Sequence, residues 1–317
     1  MMNKIKDIGE FGLIEKISKK PIDKNIIVGI GDDAAVIKTK KMLVLTTDCL
    51  VEGDHFRKKW FTPEQIGMKA IEINVSDIGA MGAKPKYVLV SLAIPKDLDV
   101  KFFEGIYKGM WDVCEKYKIE IIGGNMTHCE NIVISITLVG EVEKKNLSLR
   151  SGAKAGDYII TTGHLGYGRA GLRMFQEKLK GFNEVKKKYL EPKAQLKKAL
   201  KLAPFVNSMI DISDGLASEI KHICDKSNFG AIIYKNKIPI SDEVRDIANK
   251  LGEDEYEYAL FGGEDFELVC TVSKDNIDKI NGFLIGEITK TKEIRLSSNG
   301  KETLIDKKGY DHFSTII

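Results

Sequence analysis

The sequence predicts an α/β protein in two domains. Apolar, strand-like runs alternate along the chain with amphipathic helical stretches, the pattern of sheets covered by helices. Its 317 residues suffice for two domains, each with its own core. A polar run from Glu143 to Asn146, followed by the turn-rich SGAKAGD from Ser151 to Asp157, marks a boundary between residues 1–145 and 146–317.

Composition excludes several classes. Hydrophobic residues at 43% and charged residues at 30% are ordinary for a soluble globular protein. The net charge is only +3 and no arginine-rich run occurs, so nucleic acid is not an expected partner. Lysine clusters such as Lys186-Lys187-Lys188 and Lys197-Lys198 read as solvated helix faces. Cys49, Cys114, Cys129, Cys224 and Cys270 are odd in number and never spaced C-x-x-C, which argues against a disulfide framework or a zinc site. No apolar run approaches the ~20 residues of a membrane helix, and MMNKIKDIGEF lacks a signal-peptide core. A soluble protein of the reducing cytoplasm is expected.

Taken in order, residues 5–17 carry helical apolar spacing. Gly29 to Phe56 follows: a glycine-rich turn delivers Asp32 and Asp33, and the apolar run Met42 to Leu45 reads as a buried strand ending in Thr46, Thr47 and Asp48. Thr62 as cap and Pro63 at the first position start a helix that reaches about Met81. Asn74 and Asp77 lie three apart on one face of that largely apolar helix. Strands are expected at Tyr87–Pro95, Glu120–Ile122 and 131–142, with a helix over Val100–Tyr117 between the first two. The strand at 131–142 is apolar on both faces, so the face that does not cover the domain's own helices needs a second cover, which suggests a homodimer.

The second half opens on a strand, Tyr158 to Thr162, and a helix reaching about Leu179. Between them Gly166, Gly168 and Gly171 spell G-x-G-x-x-G. A dinucleotide-binding unit needs a further strand ending in an acid about 20 residues on, whereas the next stretch is lysine-rich and helical. Tight packing of the helix on the strand explains these glycines better. Ser208 to Ile212 reads as a strand leading through Ser213-Asp214-Gly215 into a helix, and Phe261-Gly262-Gly263-Glu264-Asp265 precedes another strand. Asn299-Gly300 signals a hairpin.

The recurring feature is an acid-bearing turn at a strand end: Asp32/Asp33, Asp48, Asp211/Asp214 and Glu264/Asp265, joined by Asp77 on its helix. Few basic residues accompany them. Carboxylates can meet a phosphate only through a cation, so the pattern points to phosphoryl transfer with several Mg²⁺ ions. The plainer reading of each acid is a turn former, a helix cap or a lysine partner. No G-x-x-x-x-G-K-[ST] loop and no H-R-D/D-F-G pair is present, which excludes the P-loop and protein-kinase schemes. Cys49 reads as a small apolar filler beside Asp48, and His128-Cys129 as an incidental turn pair.

As a set, these motifs resemble thiamine-monophosphate kinase, within the superfamily of aminoimidazole ribonucleotide synthetase. The matching pieces are GEFGLI, GIGDDAAV, TTDCLVEGDHF, NVSDIGAMGA, IGGN, SGAKAGD, MIDISDGL, FGGEDFEL and KGYDHF, spread over nearly the whole chain. The resemblance implies a two-domain fold whose first domain binds ATP and Mg²⁺ and forms a β-barrel shared across a homodimer, while the second contributes metal and substrate residues. It implies ATP-dependent phosphorylation of thiamine phosphate to thiamine diphosphate, with ATP as co-substrate. The residues implied as Mg²⁺ ligands are Asp33, Thr46, Thr47, Asp48, Asp77, Asn125, Asp211 and Asp214. ATP contacts fall on Tyr107, Gly124, Asn125, Arg150 and Ser213, and substrate contacts on His55, Glu264 and Tyr310. No protein nucleophile is implied. Two departures stand out: Asn125 replaces an acid common in the family, and Tyr189-Leu190-Glu191-Pro192 replaces a His-Leu-Arg-Pro. The rivals are another ATP-dependent synthetase of the superfamily and a silent nucleotide-binding scaffold.

Overall fold

In the first half of the chain, side-chain caps at Thr62 and Asp99 start the two long helices, and a four-stranded sheet backs them. The structure, a computed structural model, describes residues 13–20, 22–28, 36–306 and 309–310. Met1–Ile78 with Ala83–Lys144 form one compact unit, and Gly79–Gly82 with Lys145–Ile317 the other. The predicted glycine-rich turn with Asp32 and Asp33, the leading GEFGLI residues before 13, and most of the terminal KGYDHF lie outside the described residues.

The first unit begins with helical residues 13–17 (α1). β1 (Ile26–Val28) pairs antiparallel with β2 (Val36–Ile37). There follow β3 (Met42–Val51), α2 (Pro63–Ala80), β4 (Lys84–Ile94), α3 (Val100–Tyr117), β5 (Glu120–His128) and β6 (Val133–Val142). Thr62 and Gln65 cap α2 reciprocally: the Gln65 N–H donates to Thr62 Oγ1 at 3.3 Å and the Thr62 N–H to Gln65 Oε1 at 3.1 Å. The sheet runs β3-β6-β4-β5, with only β4 and β5 parallel. α2 and α3 approach until their backbones nearly touch; a Cβ on Gly67 would lie 1.9 Å from the Ile106 carbonyl oxygen. On β6, Ile134, Ile136 and Leu138 are buried while Val133, Thr137 and Val139 are half-buried. The outer face aligns Leu45, 64% exposed, with Val139, and Leu89 with Thr137.

Two strands run further than the sequence suggests. β3 does not end at Asp48; its ladder with β6 continues to Val51 opposite Val133, so Thr46-Thr47-Asp48 sit inside an edge strand. Nor is its apolar start buried, since Met42, Leu43 and Leu45 all face outward or stand at the sheet's end. β5 likewise runs through Gly123-Gly124-Asn125 to His128, because its parallel ladder with β4 persists to Ile94. His128 therefore belongs to a strand, not a turn.

The second unit contains β7 (Tyr158–Thr161), α4 (Tyr167–Gln176), α5 (Asn183–Leu190), α6 (Leu196–Leu202), β8 (Ser208–Asp211) and α7 (Leu216–Ser227). β9 (Gly230–Tyr234), α8 (Asp242–Leu251), α9 (Glu255–Phe261), β10 (Leu268–Val272), β11 (Phe283–Thr289), β12 (Ile294–Ser298) and β13 (Lys301–Leu304) complete it. The sheet order is β13-β12-β9-β11-β7-β10-β8, a mixed sheet in which β9 and β12 run parallel. β7 and β8 both oppose β10, so the ends of β7 and β8 and the start of β10 share one edge. That edge brings the loops at 162–166, 212–215 and 262–267 together. Asn299 and Gly300 both take positive φ (50° and 77°) in the β12–β13 hairpin, as that dipeptide requires. Among the described residues the four- and seven-stranded sheets are open, and no helix is long and apolar enough to cross a membrane.

Candidate active site

Strand alternation sorts the acid-bearing segment of β3 into two faces. Thr46 and Asp48 are half-buried on the helix side, whereas Thr47 and Cys49 are exposed on the other. The Thr46 hydroxyl donates to Asp77 Oδ2 at 2.5 Å, tying the strand to α2. The Thr47 hydroxyl instead donates to the Ile136 carbonyl at 2.9 Å on its own side. One turn before Asp77, Asn74 is fully buried; its amide donates to Ala70 O at 3.0 Å and its Oδ1 meets no donor among the described residues. After β3, Gly53 (φ 104°) turns the chain so that His55 folds back. The Val51 N–H donates to His55 Nδ1 at 3.1 Å, which leaves the ring proton of the neutral imidazole on Nε2. The buried Lys69 ammonium holds the same loop through the His55 carbonyl at 2.9 Å.

Gly124 and Asn125 are exposed on β5, and a Cβ on Gly124 would lie 2.0 Å from the Val90 carbonyl oxygen, so only glycine fits. Tyr107 is buried on α3 between Phe103 and Trp111, with ring centroids 5.1 and 5.9 Å away, and burial pushes its hydroxyl above the ordinary phenol range. Asp33 lies outside the described residues.

In the second unit, the turn after β8 gathers Asp211, Ser213, Asp214, Glu264 and Tyr310. Asp211, almost wholly buried, ends β8 opposite Leu268. Backbone N–H groups of Ile212, Glu264 and Phe266 then donate to Glu267, Ser213 and Ile212 carbonyls at 2.8, 2.7 and 2.9 Å. The Tyr310 N–H donates to the Asp214 carbonyl at 3.0 Å, which folds the tail onto the turn. Gly215 takes φ 104°, and a Cβ there would stand 2.7 Å from the Leu260 carbonyl oxygen. Glu264 and Phe266 themselves take φ 56° and 50°, a conformation side chains resist, held by this stitching.

The turn has a buried anchor that sequence reading missed. Glu219, on the first turn of α7, accepts the Asp214 N–H at 3.1 Å and the Ser213 hydroxyl at 3.4 Å. Burial raises its carboxyl to about 7; the Asp214 N–H and the Arg150 charge oppose this, while the Asp214 charge adds to it. The only signal was an acid in a helix's first turn. Arg150 is exposed, its carbonyl accepting from Ser227 Oγ at 3.5 Å. His222, one turn beyond Glu219, is pushed down by burial and by Arg150, with Asp214 pulling it back.

The G-x-G-x-x-G stretch is also accounted for. Asp265 accepts N–H bonds from Gly166 and Tyr167 at 2.8 Å each and from Gly168 at 3.3 Å, filling the start of α4 with an internal carboxylate. A Cβ on Gly168 would lie 2.3 Å from the Gly263 carbonyl oxygen, and one on Gly171 2.3 Å from Tyr189 Cβ. The glycines thus admit a loop and α5 rather than the strand that the sequence suggested.

The oxygen donors suit a hard cation. Among the described residues no three His, Cys, Asp or Glu side chains stand together as a metal cage. Mg²⁺ is ordinarily held by one or two carboxylates with substrate phosphates and water completing it, and Thr46, Asp48 and Asp77 on one face, or Asp211 and Asp214 around one turn, fit that demand.

Comparison with known proteins places the chain first in a class. Residues 31–142 match the N-terminal domain, and residues 154–298 the C-terminal domain, of AIR synthase related proteins. Thiamine-monophosphate kinases of Aquifex aeolicus and Bacillus subtilis are 39% and 35% identical over 98% and 96% of this chain, and 100% and 99% of their own lengths. The solved structure of AaThiL complexed with AMPPCP and TMP aligns at a TM-score of 0.80 and 37% identity, over 99% of this chain and 100% of its own. The chain belongs to the thiamine-monophosphate kinase family.

Proposed function

We propose that the protein transfers the γ-phosphoryl group of ATP to thiamine phosphate, forming thiamine diphosphate and ADP. The observation that carries this is the turn after β8, where backbone bonds gather Asp211, Ser213, Asp214, Glu264 and Tyr310 within a chain that aligns end to end with a kinase solved with AMPPCP and TMP.

An oxygen of the thiamine phosphate attacks the γ-phosphorus in line while the bond to the β,γ-bridging oxygen breaks. The acceptor is already a phosphate anion at neutral pH, so no strong general base is required. The task left to the protein is positioning and charge screening. Thr46, Thr47, Asp48, Asp77 and Asn125 in the first unit, with Asp33, would hold Mg²⁺, as would Asp211 and Asp214 in the second; Thr47, whose side chain faces away from Asp48, would serve through its carbonyl. Bound there, Mg²⁺ neutralises charge on the transferred group. Tyr107, Gly124, Asn125, Arg150 and Ser213 face the nucleotide in this reading. Glu264 pairs with the cationic end of thiamine phosphate, Tyr310 offers it an aromatic face, and His55 meets its phosphate through Nε2.

The assembly we propose is a homodimer in which the outer face of the β3-β6-β4-β5 sheet, with Leu43, Leu45, Leu89 and Val139, closes a barrel against its copy. Residues 1–145 would carry this interface with the ATP and Mg²⁺ contacts, residues 146–317 the remaining metal and substrate contacts, and the cytoplasm suits both substrates. An ATP/Mg²⁺ assay across phosphorylated vitamins and nucleotides tests the function. Turnover confined to thiamine phosphate is expected, and faster turnover of another acceptor overturns the assignment.

A further inference from the structure

The loop that carries Glu264 is held in an unfavourable backbone shape from two sides. On one side the Glu264 and Phe266 N–H groups bond to the turn after β8 at 2.7 and 2.9 Å. On the other, the Asp265 carboxylate takes three N–H groups at the start of α4: Gly166 on Oδ2, Tyr167 and Gly168 on Oδ1. Between these holds, the residues flanking Asp265 take φ 56° and 50°, although neither is glycine. Each such residue costs roughly 1–3 kcal/mol unless its surroundings impose it. The α4 grip is also close-fitting, because Gly168 leaves no room for a Cβ beneath Gly263 and Glu264.

We infer that Asp265 is a positioning residue for substrate recognition: its grip on the start of α4 fixes the strained backbone that presents Glu264. This rests on the proposed role of Glu264 toward thiamine phosphate. The G-x-G-x-x-G stretch is then a clamp on the substrate loop, and α4 acts on catalysis without touching a ligand. The carboxylate suits this because both its oxygens accept, whereas an amide in its place turns an NH₂ toward one of the N–H donors. Asp265 differs from Glu264 and Tyr310 in reaching the substrate only through backbone.

The test compares Asp265→Asn, Gly168→Ala and Glu264→Gln in the full-length protein, each first shown by circular dichroism to be folded. Steady-state KM values are measured for thiamine phosphate and for ATP, with hydrogen exchange of the 262–267 amides in the ligand-free protein. Asp265→Asn removes the grip, and Gly168→Ala pushes the same loop from the helix side without changing charge. Both should speed exchange across 262–267 and raise the thiamine phosphate KM about tenfold, with the ATP KM within about twofold. Glu264→Gln should raise the thiamine phosphate KM while leaving loop exchange unchanged. Faster exchange with an unaltered thiamine phosphate KM in Asp265→Asn, while Glu264→Gln still shows its effect, overturns the positioning role alone. An unaltered KM in Glu264→Gln overturns the Glu264 reading and the inference with it. An equal rise in both KM values makes Asp265 a general structural residue and also overturns the inference.

Discussion

The edge strand bearing Thr46 and Asp48 and the turn bearing Asp211 to Asp214 offer the same oxygen chemistry but are held by opposite means. On the strand, regular geometry does the placing. Alternation sets Thr46 and Asp48 on one face, and the Thr46 hydroxyl bonds across to Asp77 on α2. In the turn no period operates. Its shape comes from backbone bonds to residues 264–267 and 310, from Gly215 at positive φ, and from the buried Glu219 beneath it. Side chains set on a regular element should respond to their own substitution and little else. A turn set by distant partners should respond to changes some 50 residues or more away in sequence.

The largest effect is expected on the strand. Asp48→Asn should lower turnover by orders of magnitude without unfolding the protein, since the residue is half-exposed and the change is isosteric. Thr46→Val should follow it in direction, and Thr47→Val, whose hydroxyl serves only the outer face, should cost little. Near-normal activity of Asp48→Asn at limiting Mg²⁺ would show that this strand does not hold the cation.

A smaller effect is expected at the turn. Tyr310→Ala should raise KM for thiamine phosphate about tenfold, the scale of losing ~1–2 kcal/mol of aromatic contact, with the ATP KM little changed. An equal rise for both substrates would mean that Tyr310 only holds the tail against Asp214.

The smallest effect belongs to a network in the same unit that the site does not use. Burial works to raise the Glu253 carboxyl, but the Tyr258 hydroxyl at 2.6 Å and Arg173 at 2.6 Å outweigh it and hold the group below its ordinary 4.5. A carboxyl depressed on folding contributes stability above the ordinary value, and that contribution fades as pH falls through the folded value. Urea unfolding should therefore find Glu253→Gln less stable by under about 1 kcal/mol at pH 7, the difference closing in acid, with kinetics unchanged. A gap that widens in acid would reverse the sign of this coupling.

Much of the regular structure was legible in the residues. α3 spans Val100–Tyr117 as its spacing predicts, α2 starts at Pro63 under its Thr62 cap, and Asn299-Gly300 makes its hairpin. These signals are local, fixed by propensity and by the first turn's free N–H groups. The continuation of β3 past Asp48 and of β5 past Asn125 was not legible, because partner strands far along the chain decide where a ladder stops. The acids of the turn after β8 were visible from D-I-S-D-G. Their supports were not: Glu219 looked like any helical acid, and Asp265 like a neighbour of Glu264, until the fold set the start of α4 against it. β9 and β11 escaped notice because short apolar runs fit strand and helix alike, whereas α8 and α9 were legible in their Ser241 and Asp254 caps and were passed over.

In the proposed reaction these carboxylates hold ions and groups, and none of them attacks phosphorus. Transfer from ATP made chiral at the γ-phosphorus with oxygen isotopes and sulfur tests it directly. Direct in-line transfer to thiamine phosphate gives inverted configuration in the thiamine diphosphate product. Retention, the result of two displacements through an aspartyl or glutamyl phosphate, would make one of these carboxylates a nucleophile.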